Sequence, residues 1–249
     1  MTNYHVIAGT WQLVSSSPNL TRMTVQLFLC RVLPDDNQHV PRLLARLDNE
    51  ERDRAARFTF ERDRRAYAGA HALLRHALDR AAGHRAWRFT ANAFGKPRIE
   101  PPSNDIRFSL SHTDGLVAVA LAHGRDVGVD VEASGRDADE ATFRSLVLAP
   151  DEVSDLDGFV DRPGRLLRLW VAKEAIAKAI GHGLSLPLKQ IVLRGEAPCL
   201  TSLPEQHGAA SEWWLHTERY DMHWLALAAR PPPCRVERME MTVADLLTD

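Results

Sequence analysis

Thr113-Asp114-Gly115-Leu116-Val117-Ala118-Val119-Ala120-Leu121-Ala122 decides the fold. The first three residues are a gap of hairpin length, and the seven apolar residues after them read as a strand. Roughly 107 residues later, Trp224-Leu225-Ala226-Leu227-Ala228-Ala229 repeats the pattern after the turn Arg219-Tyr220-Asp221, again behind another strand. Outward from these hairpins, strands are expected near Thr24–Val32, Trp87–Thr90, Ile106–Leu110, Asp126–Glu132, Lys189–Leu193, Glu212–Glu218 and Arg235–Met241. Helices are expected near Pro41–Phe58, Glu61–Ala82, Glu140–Leu148, Asp151–Leu156 and Gly164–Ile180. Mixed elements without strict βαβ alternation predict an α+β fold. The internal echo predicts two pseudo-symmetric halves, 1–124 and 125–249, each a mostly antiparallel sheet packed with helices. The active site then falls in the cleft between them, where ligands usually bind.

Two segments carry chemistry. In the strand Gly128-Val129-Asp130-Val131-Glu132 the side chains alternate, so Asp130 and Glu132 share a face. Paired carboxylates are costly unless a cation lies between them, and oxygen-only ligands suit Mg²⁺. On the helix Trp170-Val171-Ala172-Lys173-Glu174-Ala175-Ile176-Ala177-Lys178, residues Trp170, Glu174 and Lys178 stand four apart on one face. Taken singly, Glu174 with Lys178 is also an ordinary surface pair, and Asp130 with Glu132 is also the wet face of an edge strand. Together they outline a cation site beside a phosphate.

Composition narrows the class. The 249 residues carry a net charge of −2, with 45% hydrophobic and 26% charged residues, as in an ordinary globular protein. Met1–His5 lacks a basic leader, and the longest apolar run, Leu116–Ala122, is far short of a membrane span, so the expected location is cytoplasmic with no membrane partner. Cys30, Cys199 and Cys234 are odd in number and widely spaced, which indicates neither a disulfide framework nor a zinc site. Ten arginines lie between Arg52 and Arg88, a patch that suits nucleic acid, a phosphorylated cofactor or an acidic protein. Nucleic-acid binding would want exposed aromatics among them, and Phe58, Phe60 and Tyr67 read instead as core or helix-packing residues. Lysine is scarce: four stand against 27 arginines, at positions 96, 173, 178 and 189, and three of them lie in the motif segments. A compact ammonium binds phosphate as a point charge and exchanges its proton, which arginine does not.

Two further segments complete the pattern. Phe94-Gly95-Lys96-Pro97 presents one lysine from a loop, and Ser109-Leu110-Ser111-His112 ends a strand; no Gly-x-Ser-x-Gly elbow accompanies that Ser-His pair, so phosphate or nucleobase contact is expected. In order and spacing, Phe94–Pro97, Phe108–His112, Gly128–Glu132, Trp170–Lys178 and Gly181-His-Gly-Leu-Ser-Leu-Pro187 resemble the 4′-phosphopantetheinyl transferases, over about residues 50–230. The length resembles the large single-chain class that activates surfactin synthetase, not the half-size trimeric class. The resemblance implies a monomer that takes coenzyme A as substrate, with Mg²⁺, or Mn²⁺ in its place, on the pyrophosphate. A serine of an apo acyl or peptidyl carrier protein attacks, and adenosine 3′,5′-bisphosphate leaves. It implies Asp130, Glu132 and Glu174 as metal ligands, Glu174 also as base, directly or through water, and Lys178 as the group that neutralises or protonates the leaving phosphate. Coenzyme A contacts are implied for Arg54, Lys96, Ser111, His112, Asp130, Lys173 and Lys178. The first half thus becomes the nucleotide side and the second the side of the metal strand and the Glu/Lys helix. A second basic position of the family is Glu51 here, with Arg52 or Arg57 as substitutes. The alternative is a non-catalytic coenzyme A or carrier-binding module of the same fold.

Overall fold

The computed structural model describes residues 23–83, 86–100, 105–135, 140–156, 158–233 and 235–248. The expectations placed on Met1–His5, Arg85 and Cys234 lie outside the described residues. Strand β1 (Thr24–Val32) leads through the short helices α1 (Val40–Ala45) and α2 (Asn49–Ala55) to the long α3 (Glu61–Ala82). A small hairpin of β2 (Arg88–Ala91) and β3 (Pro97–Glu100) precedes β4 (Ile106–Thr113) and β5 (Gly115–His123). Then come β6 (Asp126–Ala133), α4 (Glu140–Val147), α5 (Pro150–Leu156), α6 (Arg162–Ile180), the pair β7 (Val192–Arg194) and β8 (Cys199–Ser202), β9 (Trp214–Tyr220), β10 (His223–Arg230) and β11 (Arg235–Met241).

The fold is α+β, with one sheet ordered β11-β1-β5-β4 and another ordered β6-β10-β9. Pairing is antiparallel in both except for β1 with β11, which run parallel. The order strand, long helix, hairpin therefore occurs twice, as β1–α3–β4–β5 and as β6–α6–β9–β10.

Alternation along the strands builds the layers. Val117, Val119 and Leu121 of β5 pack into the core beneath α3. The alternate residues Leu116, Ala118, Ala120 and Ala122 meet Val127, Val129 and Val131 of β6 and Leu225, Leu227 and Ala229 of β10. Ala226 and Ala228 face α6 on the far side. Helix, sheet, sheet, helix is the sequence of layers, and β5 is an unbroken apolar run because both of its faces are buried. The consequence for chemistry is direct: β6 gives its valines to the sheet–sheet core, so Asp130 and Glu132 turn toward α6.

Helix α6 starts where Asp161 caps the Gly164 N–H at 2.9 Å and ends at Gly181, whose φ of 88° is left-handed. Gly128 lets it lie against β6. A Cβ there would come within 1.9 Å of Ala175 O and 2.5 Å of Ala179 N.

Some expectations are corrected. The single helix expected over Pro41–Phe58 is two helices, because Asp48 caps a new start: its carboxylate accepts from Glu51 N while Glu51 accepts from Asp48 N. The strand expected at Lys189–Leu193 begins as a 3₁₀ turn, Leu188–Gln190, and only Val192–Arg194 is extended. Phe60 is not a core residue; it is exposed, with the Arg62 guanidinium 5.1 Å from its ring centre. β11 follows β10 in sequence yet joins the sheet of the first half, and Val243 and Leu246 beyond it enter the core under α3. No helix among the described residues is long and apolar enough to cross a membrane.

Candidate active site

Strands β4 and β6 lie side by side, joined by two hydroxyls. Ser109 Oγ accepts from Val129 N at 3.1 Å, and Ser111 Oγ from Val131 N at 3.3 Å. These bonds satisfy the edge of β6 where, among the described residues, no further strand pairs with it. They also fix Ser111 beside Asp130.

Three sequence candidates meet here. Lys178 Nζ donates to Asp130 Oδ1 at 2.6 Å and to Ser111 Oγ at 2.9 Å, and Ser111 Oγ donates to the same Asp130 oxygen at 2.8 Å. Asp130 is 4% exposed, whereas the Lys178 side chain keeps 27% of its surface, so the ammonium lies between a buried carboxylate and open solvent. The second oxygen, Asp130 Oδ2, is buried without a hydrogen-bond partner among the described residues. A buried anionic oxygen left in that state is costly unless a cation or donor arrives.

Glu174, 6% exposed, projects one turn before Lys178 from the same helix face. Glu132 is half-buried at the next outward position of β6 and accepts from Thr113 Oγ1 at 3.4 Å. Thr113 had no motif to mark it; only its place opposite Glu132 brings it in. The donor set is all oxygen, as a hard divalent cation requires. Among the described residues, though, no three His, Cys, Asp or Glu side chains stand close enough together to hold a metal as they are placed. The positive charge on Asp130 is that of Lys178.

Two lysines are employed elsewhere. Lys173, implied as a coenzyme A contact, is placed as a buried post: it is 0% exposed, and its Nζ donates to Val147 O at 2.7 Å, Glu152 Oε2 at 2.5 Å and Leu188 O at 3.1 Å. One residue of helix turns a side chain by about 100°, which carries position 173 off the Glu174 face and into the layer beneath α4 and α5. Lys96 Nζ donates to Val127 O at 3.2 Å and Ala179 O at 3.1 Å, so its charge sits at the carboxyl end of α6 and ties that end to the start of β6. Burial lowers its pKa to about 8, against the opposing pull of Asp126.

His112 and Arg54 lie on the other side of β4. His112 follows Ser111, so its ring points to the opposite face, toward α3, where it meets the edge of Tyr67 at 6.2 Å. The Arg54 guanidinium stands 5.8 Å from the same Tyr67 ring. Surrounding protein, and after it the positive charges of Lys178 and Arg54, lower the His112 pKa; because the imidazole itself is exposed, this desolvation is only partial. Arg52, one of the substitutes for a basic residue at 51, is bound to Leu47 O and Asn49 Oδ1 at the α1–α2 corner.

Comparison with known proteins follows the same segments. Residues 126–228 match the family model of the 4′-phosphopantetheinyl transferase superfamily, and residues 34–123 match that of the 4′-phosphopantetheinyl transferase N-terminal region. Among relatives, the chain is similar to 4′-phosphopantetheinyl transferase HetI of Nostoc sp., 28% identical over 187 residues that cover 72% of this chain and 78% of the relative. A putative 4′-phosphopantetheinyl transferase of Synechocystis sp. is 26% identical, over 82% of this chain and 86% of its own length. The 4′-phosphopantetheinyl transferase Sfp of Bacillus subtilis is 27% identical, over 70% and 79%.

Proposed function

Because the chain belongs to the 4′-phosphopantetheinyl transferase superfamily, whose members move the phosphopantetheine arm of coenzyme A onto carrier proteins, we propose that the cleft between 1–124 and 125–249 is where this transfer occurs. The first part holds the nucleotide and the second the reacting phosphates. The observation that carries the reading is the Lys178–Asp130–Ser111 cluster, with its buried and unpartnered Asp130 Oδ2, beside the buried carboxylate of Glu174.

Glu174 takes the proton of the carrier serine. The serine oxygen then bonds to the phosphorus nearer the pantetheine, while the bond from that phosphorus to the bridging oxygen breaks. Adenosine 3′,5′-bisphosphate leaves with the bond's electron pair on that oxygen. Lys178, partly exposed, meets the charge that develops there and supplies the proton or its field. Ser111 and Val131 N–H keep Asp130 and Lys178 in register. Asp130, Glu132 and Glu174, drawn closer than they stand here, would hold Mg²⁺, or Mn²⁺, through their oxygen chemistry and through the vacant acceptor Asp130 Oδ2. Such a cation would neutralise the pyrophosphate. Phosphoryl-type transfer needs positioning and charge neutralisation more than covalent chemistry, which this residue set supplies. The enzyme acts as a monomer, each chain holding one such cleft.

Incubation with coenzyme A, Mg²⁺ and a panel of apo acyl and peptidyl carriers, followed by mass spectrometry, tests the proposal. The expected result is a phosphopantetheine mass gain on the carrier serine. Binding of coenzyme A without any mass gain across the panel would favour the non-catalytic module.

A further inference from the structure

A helix ends in carbonyls that have no partner inside it. At the end of α6 two of them are taken by a single loop of the first half, the turn between β2 and β3. Lys96 Nζ donates to Ala179 O at 3.1 Å, and Asn92 Nδ2 donates to Gly181 O at 2.8 Å. Beside these bonds the ring centre of Phe94 lies 4.2 Å from that of His182. Loop and helix end thus form a clasp across the two halves, between residues 83 and 89 positions apart in the chain.

Asn92 builds this clasp. Its Oδ1 accepts from Phe94 N and from Lys96 N, each at 2.9 Å, while the backbone closes the turn from Asn92 N to Lys96 O and from Gly95 N to Asn92 O, both at 3.0 Å. Two N–H groups on Oδ1 admit one orientation of the amide, so its NH₂ group points out of the loop toward Gly181. Gly181 fits it from the other side. Its φ of 88° is left-handed, and a Cβ there would stand 3.3 Å from Asn92 Nδ2 and 3.1 Å from Lys96 Cδ.

The clasp closes three residues after Lys178. The Lys178 ammonium itself bridges the halves, to Ser111 Oγ of β4 at 2.9 Å and to Asp130 Oδ1 of β6 at 2.6 Å. A shift of the helix end by about 1 Å would carry it out of hydrogen-bond range of one or the other. We propose that Asn92 is a positioning residue for the transfer, holding the last turn of α6 so that Lys178 meets Ser111 and Asp130 together. This rests on the transferase reading above. Asn92 acts through Gly181 and the helix backbone, not on the reacting atoms.

Asn92→Asp and Asn92→Ala separate the two duties of the side chain. Aspartate keeps the acceptor bonds that fold the loop and loses the donor to Gly181 O, whereas alanine loses both. Steady-state transfer to an apo-carrier is measured for each, with thermal melts to verify folding. Loss of one neutral hydrogen bond predicts a fall in kcat of about three- to tenfold in both variants, with KM for coenzyme A changed by less than about twofold. A second readout needs no turnover. The chain has four lysines, so lysine labelled with ¹³C at Cε gives four NMR signals, assigned by replacing each lysine in turn. In Asn92→Asp the Lys178 signal should move, while those of Lys173 and Lys189 stay in place. Normal kcat in both variants, a rise in KM alone, or an unmoved Lys178 signal would overturn the proposal. Wild-type protein that modifies no carrier would instead remove the transferase reading, and the Lys178 signal would still decide whether Asn92 sets that side chain.

Discussion

Replacing Lys173 by Met separates a phosphate contact from a structural post. The side chain is 0% exposed and its ammonium serves Glu152, Val147 O and Leu188 O, while Glu152 also accepts from Ala149 N at 2.7 Å and Leu193 N at 2.8 Å. Methionine matches the length of the stem and removes the charge. Glu152, 1% exposed, is then a buried carboxylate with two N–H donors and no ion pair, only the more distant charge of Arg165, and breaking a buried pair in this manner costs about 3–5 kcal/mol. Glu152 relieves part of this by taking up a proton, so the lower end, about 3 kcal/mol, is expected. For a chain of this size that lowers Tm by about 6–12 °C. Glu152→Gln combined with Lys173→Met leaves no buried charge and should recover at least about 1 kcal/mol of the loss. Urea titrations with thermal melts measure both. KM for coenzyme A, determined on the folded fraction, should stay within about twofold. A Lys173→Met protein as stable as wild type but with a tenfold higher KM would refute this reasoning and return Lys173 to the phosphate side.

Other outcomes follow from the same geometry. Asp130→Ala and Glu174→Ala should each lower carrier modification by about 10²–10³ or more, read as mass gain of the apo-carrier; near-normal turnover by either would sink the mechanism. Lys178→Arg keeps the charge but not the proton exchange, so its rate should fall and its pH profile change shape; full activity at every pH would leave Lys178 only an electrostatic role. Gly128→Ala drives a methyl group into the backbone of α6 and should cost about 3 kcal/mol or more, with transfer impaired even in the folded fraction because β6 and α6 carry the two sides of the Asp130–Lys178 contact. Glu51, held at about 2 against an ordinary 4.5, contributes stability that is fully present above pH 4.5 and lost as pH falls toward 2. The loss is about 3 kcal/mol at most, and acid titration of Glu51→Gln should show a shallower decline over that window.

The grouping of candidate residues was legible where chemistry follows local period. Asp130 and Glu132 alternate with valines, Glu174 and Lys178 are four apart, and folding needed only to bring strand and helix together. Lys173 was misplaced for a reason the chain itself contains: its helical neighbours at −4, +3 and +4 are Leu169, Ile176 and Ala177, an apolar setting in which a lysine is buried. Lys96 was not legible in this way, because the carbonyl that holds it, Ala179 O, lies 83 residues further on. The same holds for Glu51, whose partners His71 and Arg75 stand on the next long helix. Strand limits came out well at Thr24–Val32 and Arg235–Met241, yet nothing in either segment announces that they pair with each other. Register between distant strands is set by the finished core, not by local pattern.

That pairing has a consequence for how the molecule is made. Thr24 lies beside Arg235 and Cys30 beside Met241, so roughly 210 residues must leave the ribosome before β1 acquires its second neighbour. Until then the first sheet ends in an apolar strand with a bare edge, and Val243 and Leu246 are missing from the core beneath α3. Contacts so distant in sequence slow folding and keep sticky edges exposed. The first half therefore carries an apolar edge until β11 covers it, and the same strand ties that half to the one that carries Asp130.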